Sequence, residues 1–168
     1  MPEKPTHCCY CGSRFAANAT WPRTCPGCGR TSYRNPLPVV VVLLPAGPGL
    51  VVIRRNIEPS LGTLTLPGGY LDCGETWQQG ARRELLEETG IDIPVEAIRL
   101  YAVETGLDDT LVIFGLAERQ PAEVVKPFSS SETQEVTRID RPQELGFPNH
   151  TVVVARYFAE VDSGGEEK

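Results

Sequence analysis

The sequence lacks an apolar stretch long enough to cross a bilayer. Its longest apolar run, Pro38 to Ala46, is less than half of the roughly 20 residues that a membrane-spanning helix needs. Residues 1–6 are polar and contain prolines, unlike the apolar segment of a secretory leader. We therefore expect a cytoplasmic protein that does not enter a membrane.

Positive charge is also scarce. The 168 residues include 16 Lys and Arg against 22 Asp and Glu, which gives a net charge of −6 and a pI near 5.0. This balance argues against broad electrostatic binding to DNA or RNA. It leaves room for an anionic substrate, because a bound divalent metal reverses the sign of a site locally. A chain of this length suits one domain, or one domain with a small appendage.

Six cysteines are present, and four of them form two Cys-x-x-Cys pairs, Cys8 with Cys11 and Cys25 with Cys28. Each pair is followed by a glycine, and 13 residues separate the pairs. This spacing predicts a small zinc ribbon in which four thiolates hold a structural Zn²⁺. His7 and Cys9 are alternative ligands, although Cys9-x-Cys11 is the poorer spacing.

The composition changes near residues 33–36, from a segment rich in Cys, Gly and Pro to a run of β-branched residues. We accordingly divide the chain into a zinc ribbon at 1–35, a main domain at 36–160 and a disordered acidic tail at 161–168. Strands are predicted at 39–44 and 50–54, paired as a hairpin, and at about 97–104, 110–118 and 135–140. A final helix over about 150–160 would be capped by Asn149.

The most informative element is a predicted helix at 76–89 that ends at Gly90. At about 100° per residue, Glu84, Glu87 and Glu88 share one face of this helix. Their mutual repulsion, and their position in or near the last turn, both destabilise the helix. Bound Mg²⁺ or Mn²⁺ would offset both penalties, and Arg83 is placed to pair with Glu87.

A longer pattern surrounds these glutamates. Nine specified positions are all filled, by Gly69, Glu75, Arg83, Glu84, Leu85, Glu87, Glu88, Gly90 and Ile91. The stretch resembles the signature of the Nudix hydrolases without a departure. That resemblance implies an α/β (α+β) fold in which a mixed β-sheet lies between helices, here preceded by the zinc ribbon.

The resemblance also implies roles for individual residues. Glu87, Glu88 and the Gly69 carbonyl would hold Mg²⁺ or Mn²⁺, with Glu84 as a further ligand or the general base. Glu75 and Arg83 would stabilise the loop–helix–loop. Many members add a glutamate from a later loop, for which Glu132 and Glu135 are both candidates and loop placement slightly favours Glu132.

The expected reaction is hydrolysis of a diphosphate bond in a nucleoside diphosphate-linked substrate. The ribbon followed by a Nudix domain is similar to bacterial NADH pyrophosphatases, some of which remove NAD caps from RNA, and to plant FAD pyrophosphatases. NADH, FAD and ADP-ribose are therefore candidate substrates. Residues 100–110 depart from the NADH group's proline-rich motif, so nicotinamide specificity does not follow. A homodimer is expected from the family alone.

Substrate contacts are less well marked in the sequence. Arg54 and Arg55, at the end of a strand near the cleft, are candidates for phosphate contacts, and a solvated strand end is the alternative. Four aromatic residues are candidates for stacking on a base or for the core: Tyr70, Tyr101, Phe114 and Phe128. The alternative function is a non-catalytic, nucleotide-sensing regulator whose ribbon binds a partner.

Overall fold

The computed structural model describes residues 6–164. Within this range the ribbon contains strands β1 (Arg23–Thr24) and β2 (Thr31–Ser32). The main domain contains helices α1 (Trp77–Thr89) and α2 (Pro148–Gly164). Its strands are β3 (Leu37–Leu43), β4 (Pro45–Ala46), β5 (Gly49–Arg55), β6 (Leu64–Thr65), β7 (Gly68–Tyr70), β8 (Ile98–Thr105), β9 (Thr110–Ala117) and β10 (Thr133–Ile139).

The strands of the main domain form two sheets. One has the order β7-β3-β9-β8, in which β3 and β9 are parallel and the other neighbours are antiparallel. The other has the order β10-β5-β4, with β6 also paired to β5. The mixed sheet confirms the predicted α+β class.

Strand β3 lies between the two helices because its side chains alternate between two apolar clusters. Val41 and Leu43 pack in the cluster that contains Val153 and Phe158 of α2. Val40 and Val42 pack in the cluster that contains Ala81 and Leu85 of α1. The strand is therefore buried on both faces, which explains its uninterrupted run of valines.

The predicted hairpin between 39–44 and 50–54 is wrong. Strand β3 is paired with β7 on one side and β9 on the other, so it has no edge left for β5. The hairpin partner of β5 is instead the two-residue strand β4, with Ala46 opposite Gly49. The remaining predicted strands are present, shifted by one or two residues at their ends.

Helix α1 has the predicted extent and both of its ends are capped. At the N-terminus, Thr76 Oγ1 accepts a hydrogen bond from Gln79 N, and Gln79 Oε1 accepts one from Thr76 N. This reciprocal pair is a capping box. At the C-terminus, Gly90 adopts φ 70°, and its N–H donates to the Leu86 carbonyl. A left-handed residue at this position favours glycine.

Helix α2 departs from its prediction at both ends. It begins at Pro148, so Asn149 lies inside the first turn and is not the cap. Proline suits the first helical position, where its missing N–H is no loss. The helix also continues through Gly164, beyond the predicted domain end at 160. Residues 165–168 of the predicted disordered tail, and residues 1–5 of the ribbon, lie outside the described residues.

Neither helix described here combines the length and apolar character needed to span a membrane. The predicted ribbon boundary at 35/36 falls between β2 and β3, and Arg34 beside it forms an ion pair with Asp109, just before β9. This contact connects the end of the ribbon to the main domain.

Candidate active site

Helix α1 brings the three predicted carboxylates to one side of the domain, at different depths. Glu88 is 2% exposed and Glu84 is 8% exposed, whereas the Glu87 side chain is 58% exposed. Helical spacing accounts for their common face, as predicted. The two deeper carboxylates are shielded from water, while Glu87 lies at the surface.

Arg83 is the hub that connects these carboxylates to the loop before the helix. Its Nη2 donates to Glu75 Oε1 at 2.8 Å and to the Tyr70 carbonyl at 2.9 Å. Its Nη1 donates to Glu84 Oε1 at 2.7 Å and to Glu87 Oε2 at 3.3 Å. The guanidinium thus fixes two of the helix carboxylates and the loop together, as the resemblance implied.

Two glycines lie where the loop and the helix approach each other closely. A Cβ at residue 69 would lie 2.6 Å from Cδ of Glu84, and a Cβ at residue 80 would lie 2.7 Å from Glu75 Oε1. Real Cβ atoms do not approach other atoms this closely. Gly80 therefore allows the loop to contact the helix, while Gly69 places its backbone directly against the Glu84 carboxylate.

Glu88 is held by the backbone. The Gly68 N–H donates to Glu88 Oε2 at 2.8 Å. Burial nevertheless raises the pKa of Glu88 to about 8, although the hydrogen bond from Gly68 acts in the opposite direction. Burial likewise raises the pKa of Glu84, against the effect of Arg83. In contrast, the hydrogen bond from Arg83 lowers the pKa of Glu75. The interior therefore disfavours the charged forms of Glu84 and Glu88.

The two later glutamates are in different surroundings. The negative charge of Glu132 contributes to the raised pKa values of both Glu84 and Glu88. Glu135 instead accepts a hydrogen bond from Arg54 Nε at 2.7 Å. Glu132 is therefore the glutamate that acts electrostatically on the cluster, while Glu135 is occupied by an ion pair on β5.

The neighbouring arginines Arg54 and Arg55 are also separated. Besides its pair with Glu135, Arg54 donates to the Gly62 carbonyl at 2.9 Å. Arg55 is 8% exposed, donates from Nε to the Pro59 carbonyl and lies over the Phe147 ring at 5.3 Å. Its positive charge acts on Glu88. Arg55 thus faces the site, whereas Arg54 is engaged by other groups.

A cavity of about 280 Å³ adjoins the carboxylates. Gly68 and Gly69, which contact Glu88 and Glu84, also line this cavity. Of the four aromatic candidates, only Tyr70 lines it. Phe114 is in the core, Tyr101 donates to Glu160, and Phe128 packs beside Gly90.

Three further residues of the cavity were not expected from the sequence: Phe147, Asn149 and His150 at the start of α2. No motif marks them, because they join the site only when α2 packs against the sheet. Phe147 and His150 lie with their ring centroids 5.0 Å apart. The one available signal was a lone histidine at the beginning of the predicted final helix.

The ribbon forms a second, separate cluster of ligand atoms. The Sγ atoms of Cys8, Cys11, Cys25 and Cys28 all lie within 4.8 Å of one another. The Cys8–Cys28 and Cys11–Cys25 separations are 3.8 and 3.6 Å. Four thiolates at about 2.3 Å around one Zn²⁺ would be about 3.8 Å apart, so the cluster fits this ion. Backbone N–H groups of Tyr10 and Gly27 donate to two of the sulfurs, each at 3.4 Å.

The two alternative ligands are turned elsewhere. Cys9 Sγ lies 3.5 Å from Ser32 Oγ, and His7 Nδ1 lies 2.9 Å from Thr6 Oγ1. The poorer Cys9-x-Cys11 spacing is therefore not used. Cys8 takes the position that the regular spacing predicted.

Comparison with known proteins places this geometry in a family. Residues 34–161, more than half of the chain, match the family model described as NUDIX domain. The NAD-capped RNA hydrolase NudC of Yersinia enterocolitica is 32% identical over 88 residues, which cover 52% of this chain and 33% of that protein. NudC of Yersinia pestis is 32% identical over 87 residues, again 33% of its length. These matches thus span only a third of the curated relatives.

Solved structures resemble a larger part of the chain. A NUDIX hydrolase from Nitrosomonas europaea is 26% identical, with a TM-score of 0.76, and the match covers 95% of this chain and 94% of that one. A bifunctional NMN adenylyltransferase/ADP ribose pyrophosphatase from Francisella tularensis, solved with AMP and a manganese ion, has a TM-score of 0.65 at 23% identity. That match covers 76% of this chain and 42% of that chain, and supports the fold alone.

Proposed function

We propose that this chain, which belongs to the Nudix family, is a divalent-metal-dependent hydrolase that cleaves the diphosphate bond of a nucleotide-linked substrate. One observation carries the proposal. Glu88 is buried on the carboxylate face of α1, and within residues 6–164 its hydrogen-bond partner is the Gly68 N–H, with no cationic side chain in an ion pair. A buried carboxylate without an ion-pair partner is costly, and a bound cation would offset that cost.

The donor atoms suit a hard divalent cation. Glu84, Glu87 and Glu88, with the Gly69 carbonyl, would supply only oxygen ligands, which Mg²⁺ and Mn²⁺ prefer. When bound, such a cation neutralises diphosphate oxygens, acidifies a water molecule and stabilises the leaving group. The relatives named above are hydrolases, which agrees with this chemistry.

The side chains of the chain would do the rest of the work. Arg83 holds Glu84 and Glu87 in fixed positions through Nη1. Because that bond uses Oε1 of Glu84, Oε2 would be free either to join the metal ligands or to accept a proton from the attacking water. Glu132, whose charge reaches the cluster, is the proposed additional carboxylate. Arg55, buried beside the carboxylates, would contact a substrate phosphate.

We place the nucleoside end of the substrate in the adjoining cavity. Its apolar and aromatic lining suits a heterocyclic ring, and its position beside Gly68 and Gly69 would leave the diphosphate near Glu84 and Glu88. NADH, FAD and ADP-ribose are the candidate small molecules. NAD-capped RNA is a further candidate, since the Yersinia relatives are described as hydrolases of that substrate.

For the ribbon, we propose a structural Zn²⁺ held by Cys8, Cys11, Cys25 and Cys28. Four thiolates leave no open position for a substrate, so this ion would stabilise the fold and take no part in the reaction. A segment this short has too small an apolar core to fold without such support.

The proposal is tested by incubating the protein with Mg²⁺ or Mn²⁺ and a substrate panel, and by identifying the products. The panel consists of NADH, FAD, ADP-ribose, nucleoside triphosphates and NAD-capped RNA. Metal-dependent release of two monophosphate-bearing products from a diphosphate-linked substrate is expected, together with loss of turnover in Glu88→Gln. Saturable binding without turnover of any member would overturn hydrolysis and favour the nucleotide-sensing regulator.

A further inference from the structure

His150 is a buried histidine with no place in the proposed hydrolysis. It lies in the first turn of α2, is 6% exposed and lines the cavity beside Gly68 and Gly69. Its ring packs against Phe114 at 5.6 Å and against Phe147 at 5.0 Å between centroids. The aromatic neighbours fix the orientation of the imidazole.

The protonation of this ring follows from one hydrogen bond. The backbone N–H of Leu66 donates to His150 Nδ1 at 3.3 Å, so Nδ1 is an acceptor and carries no hydrogen. A neutral imidazole then carries its hydrogen on Nε2. Across the part of the chain that the structure describes, this Nε2–H group has no hydrogen-bond partner. Since His150 lines the cavity, this donor is left for an acceptor atom that enters the cavity.

The cavity indicates what that acceptor is. Its lining includes the apolar side chains of Val39, Val41 and Val112, and its volume is about 280 Å³. This volume lies near the lower end of the about 300–1,000 Å³ of ligand pockets, and it would hold the heterocyclic end of a nucleotide. A neutral donor among apolar groups cannot compensate the charge of a phosphate, but it pairs well with a ring nitrogen or carbonyl.

Arg55 is the candidate contact for the phosphate of the same substrate. Its guanidinium lies over Phe147, next to His150, and its charge also acts on Glu88. A phosphate would therefore lie on the Arg55 side, toward the carboxylates. The ring attached to that phosphate through its sugar would then reach His150.

We propose that His150 is a specificity-determining residue, which donates its Nε2–H to an acceptor atom of the heterocyclic base of the substrate. This inference rests on the proposed function, because it assigns the cavity to the nucleoside end of the substrate. It predicts a preference for base-bearing ligands over ligands that carry only sugar and phosphate.

Binding calorimetry tests the inference with adenosine 5′-monophosphate as the probe and ribose 5-phosphate as its base-free counterpart. His150→Phe keeps an aromatic ring without the donor, and His150→Gln keeps both a donor and an acceptor. We expect His150→Phe to weaken binding of the adenosine probe about tenfold, as loss of one hydrogen bond does, with ribose 5-phosphate unchanged. His150→Gln should stay within about threefold of the wild type.

Two results would overturn the proposal. Equal losses for both probes in His150→Phe would mean that the ring only supports Leu66, and unchanged affinity for the adenosine probe would mean that the donor is not used. His7→Gln, which changes the exposed histidine of the ribbon, is the matched control.

Nitrogen NMR of the wild-type imidazoles tests the inference even if His150→Phe fails to fold. The chain has two histidines, so His150→Gln assigns both sets of signals. The Nε2–H tautomer of His150 is expected, and the adenosine probe should shift Nε2 while ribose 5-phosphate does not. No shift at saturation would contradict the proposal. If diphosphates are hydrolysed but Nε2 does not shift, only the role of His150 is contradicted. If Nε2 shifts but no diphosphate is hydrolysed, only the proposed hydrolysis is contradicted.

Discussion

The backbone N–H of Gly68 donates a 2.8 Å hydrogen bond to Oε2 of Glu88. This bond joins the loop before α1 to the deepest carboxylate on the helix. It satisfies one oxygen of Glu88 without neutralising its charge. The carboxylate is therefore positioned by the backbone, and among residues 6–164 it has no cationic side chain in direct ion-pair contact.

Glu88→Gln should separate catalysis from folding. The amide oxygen can still accept the bond from Gly68, and the change removes a charge that burial penalises. We expect the melting temperature to be unchanged or higher, while turnover falls at least about 100-fold. Substitution of a residue that only orients a metal ligand already lowers activity by up to about 100-fold, and Glu88 is a proposed ligand itself. Calorimetry and a product assay measure the two effects. A variant with near-wild-type turnover would remove Glu88 from the proposed role.

The contact of Arg83 with Glu75 should stabilise the site more than an ordinary surface pair. The guanidinium makes two hydrogen bonds to this carboxylate, and the two side chains are 28% and 15% exposed. A double-mutant cycle with Arg83→Met and Glu75→Gln should give a coupling energy of about 1–3 kcal/mol in urea unfolding. A coupling energy near zero, as for exposed ion pairs, would contradict the proposed role of Arg83 in connecting the loop to the helix.

Cys8 and Cys9 offer a matched pair of substitutions in the ribbon. Cys8 belongs to the four-sulfur cluster, whereas Cys9 is directed to Ser32. We expect the purified wild type and Cys9→Ser to contain about one zinc per chain, and Cys8→Ser to lose it. Elemental analysis measures the content. Zinc loss in Cys9→Ser with retention in Cys8→Ser would reverse the assignment.

His150 should make stability depend on pH. Burial lowers its pKa from the ordinary 6.5 to about 3, and the charge of Arg55 acts in the same direction. Below about pH 6.5 the unfolded chain takes up a proton that the folded chain does not, so stability falls as the pH falls. The free energy of unfolding should drop by up to about 1.4 kcal/mol per pH unit.

Urea unfolding at pH 7 and pH 5 measures this effect in the wild type and in His150→Gln. The difference between the two proteins should change by about 1–2 kcal/mol over this interval, because glutamine does not titrate. Parallel losses in both proteins would show that other groups control the acid sensitivity.

The sequence predicted those parts of the site that depend on spacing within one element. Glu84, Glu87 and Glu88 share a face because of helical geometry, and the two Cys-x-x-Cys pairs determine their own turns. Contacts between elements that are distant in the chain were harder to predict from the sequence. Phe147 and His150 reach the cavity only after α2 packs on the sheet, and their local sequence carries no motif.

The sequence likewise did not predict which strands pair with each other or which arginine forms an ion pair. The valines of β3 predicted a buried strand, but the hairpin was wrong because two other strands occupy its edges. Arg54 and Arg55 are adjacent in the chain, and only the fold distinguishes the one paired with Glu135 from the one beside the cavity. A homodimer and the cytoplasmic location stay predictions.

We propose that the carboxylate face of α1 holds a divalent cation. Electron paramagnetic resonance of free Mn²⁺, titrated with wild-type protein and with Glu88→Gln, tests this claim most directly. We predict that the wild type removes Mn²⁺ from solution, that Mg²⁺ competes for the site, and that Glu88→Gln binds at least about tenfold more weakly. Equal binding by both proteins, or no binding by the wild type with a nucleotide present, would contradict the account.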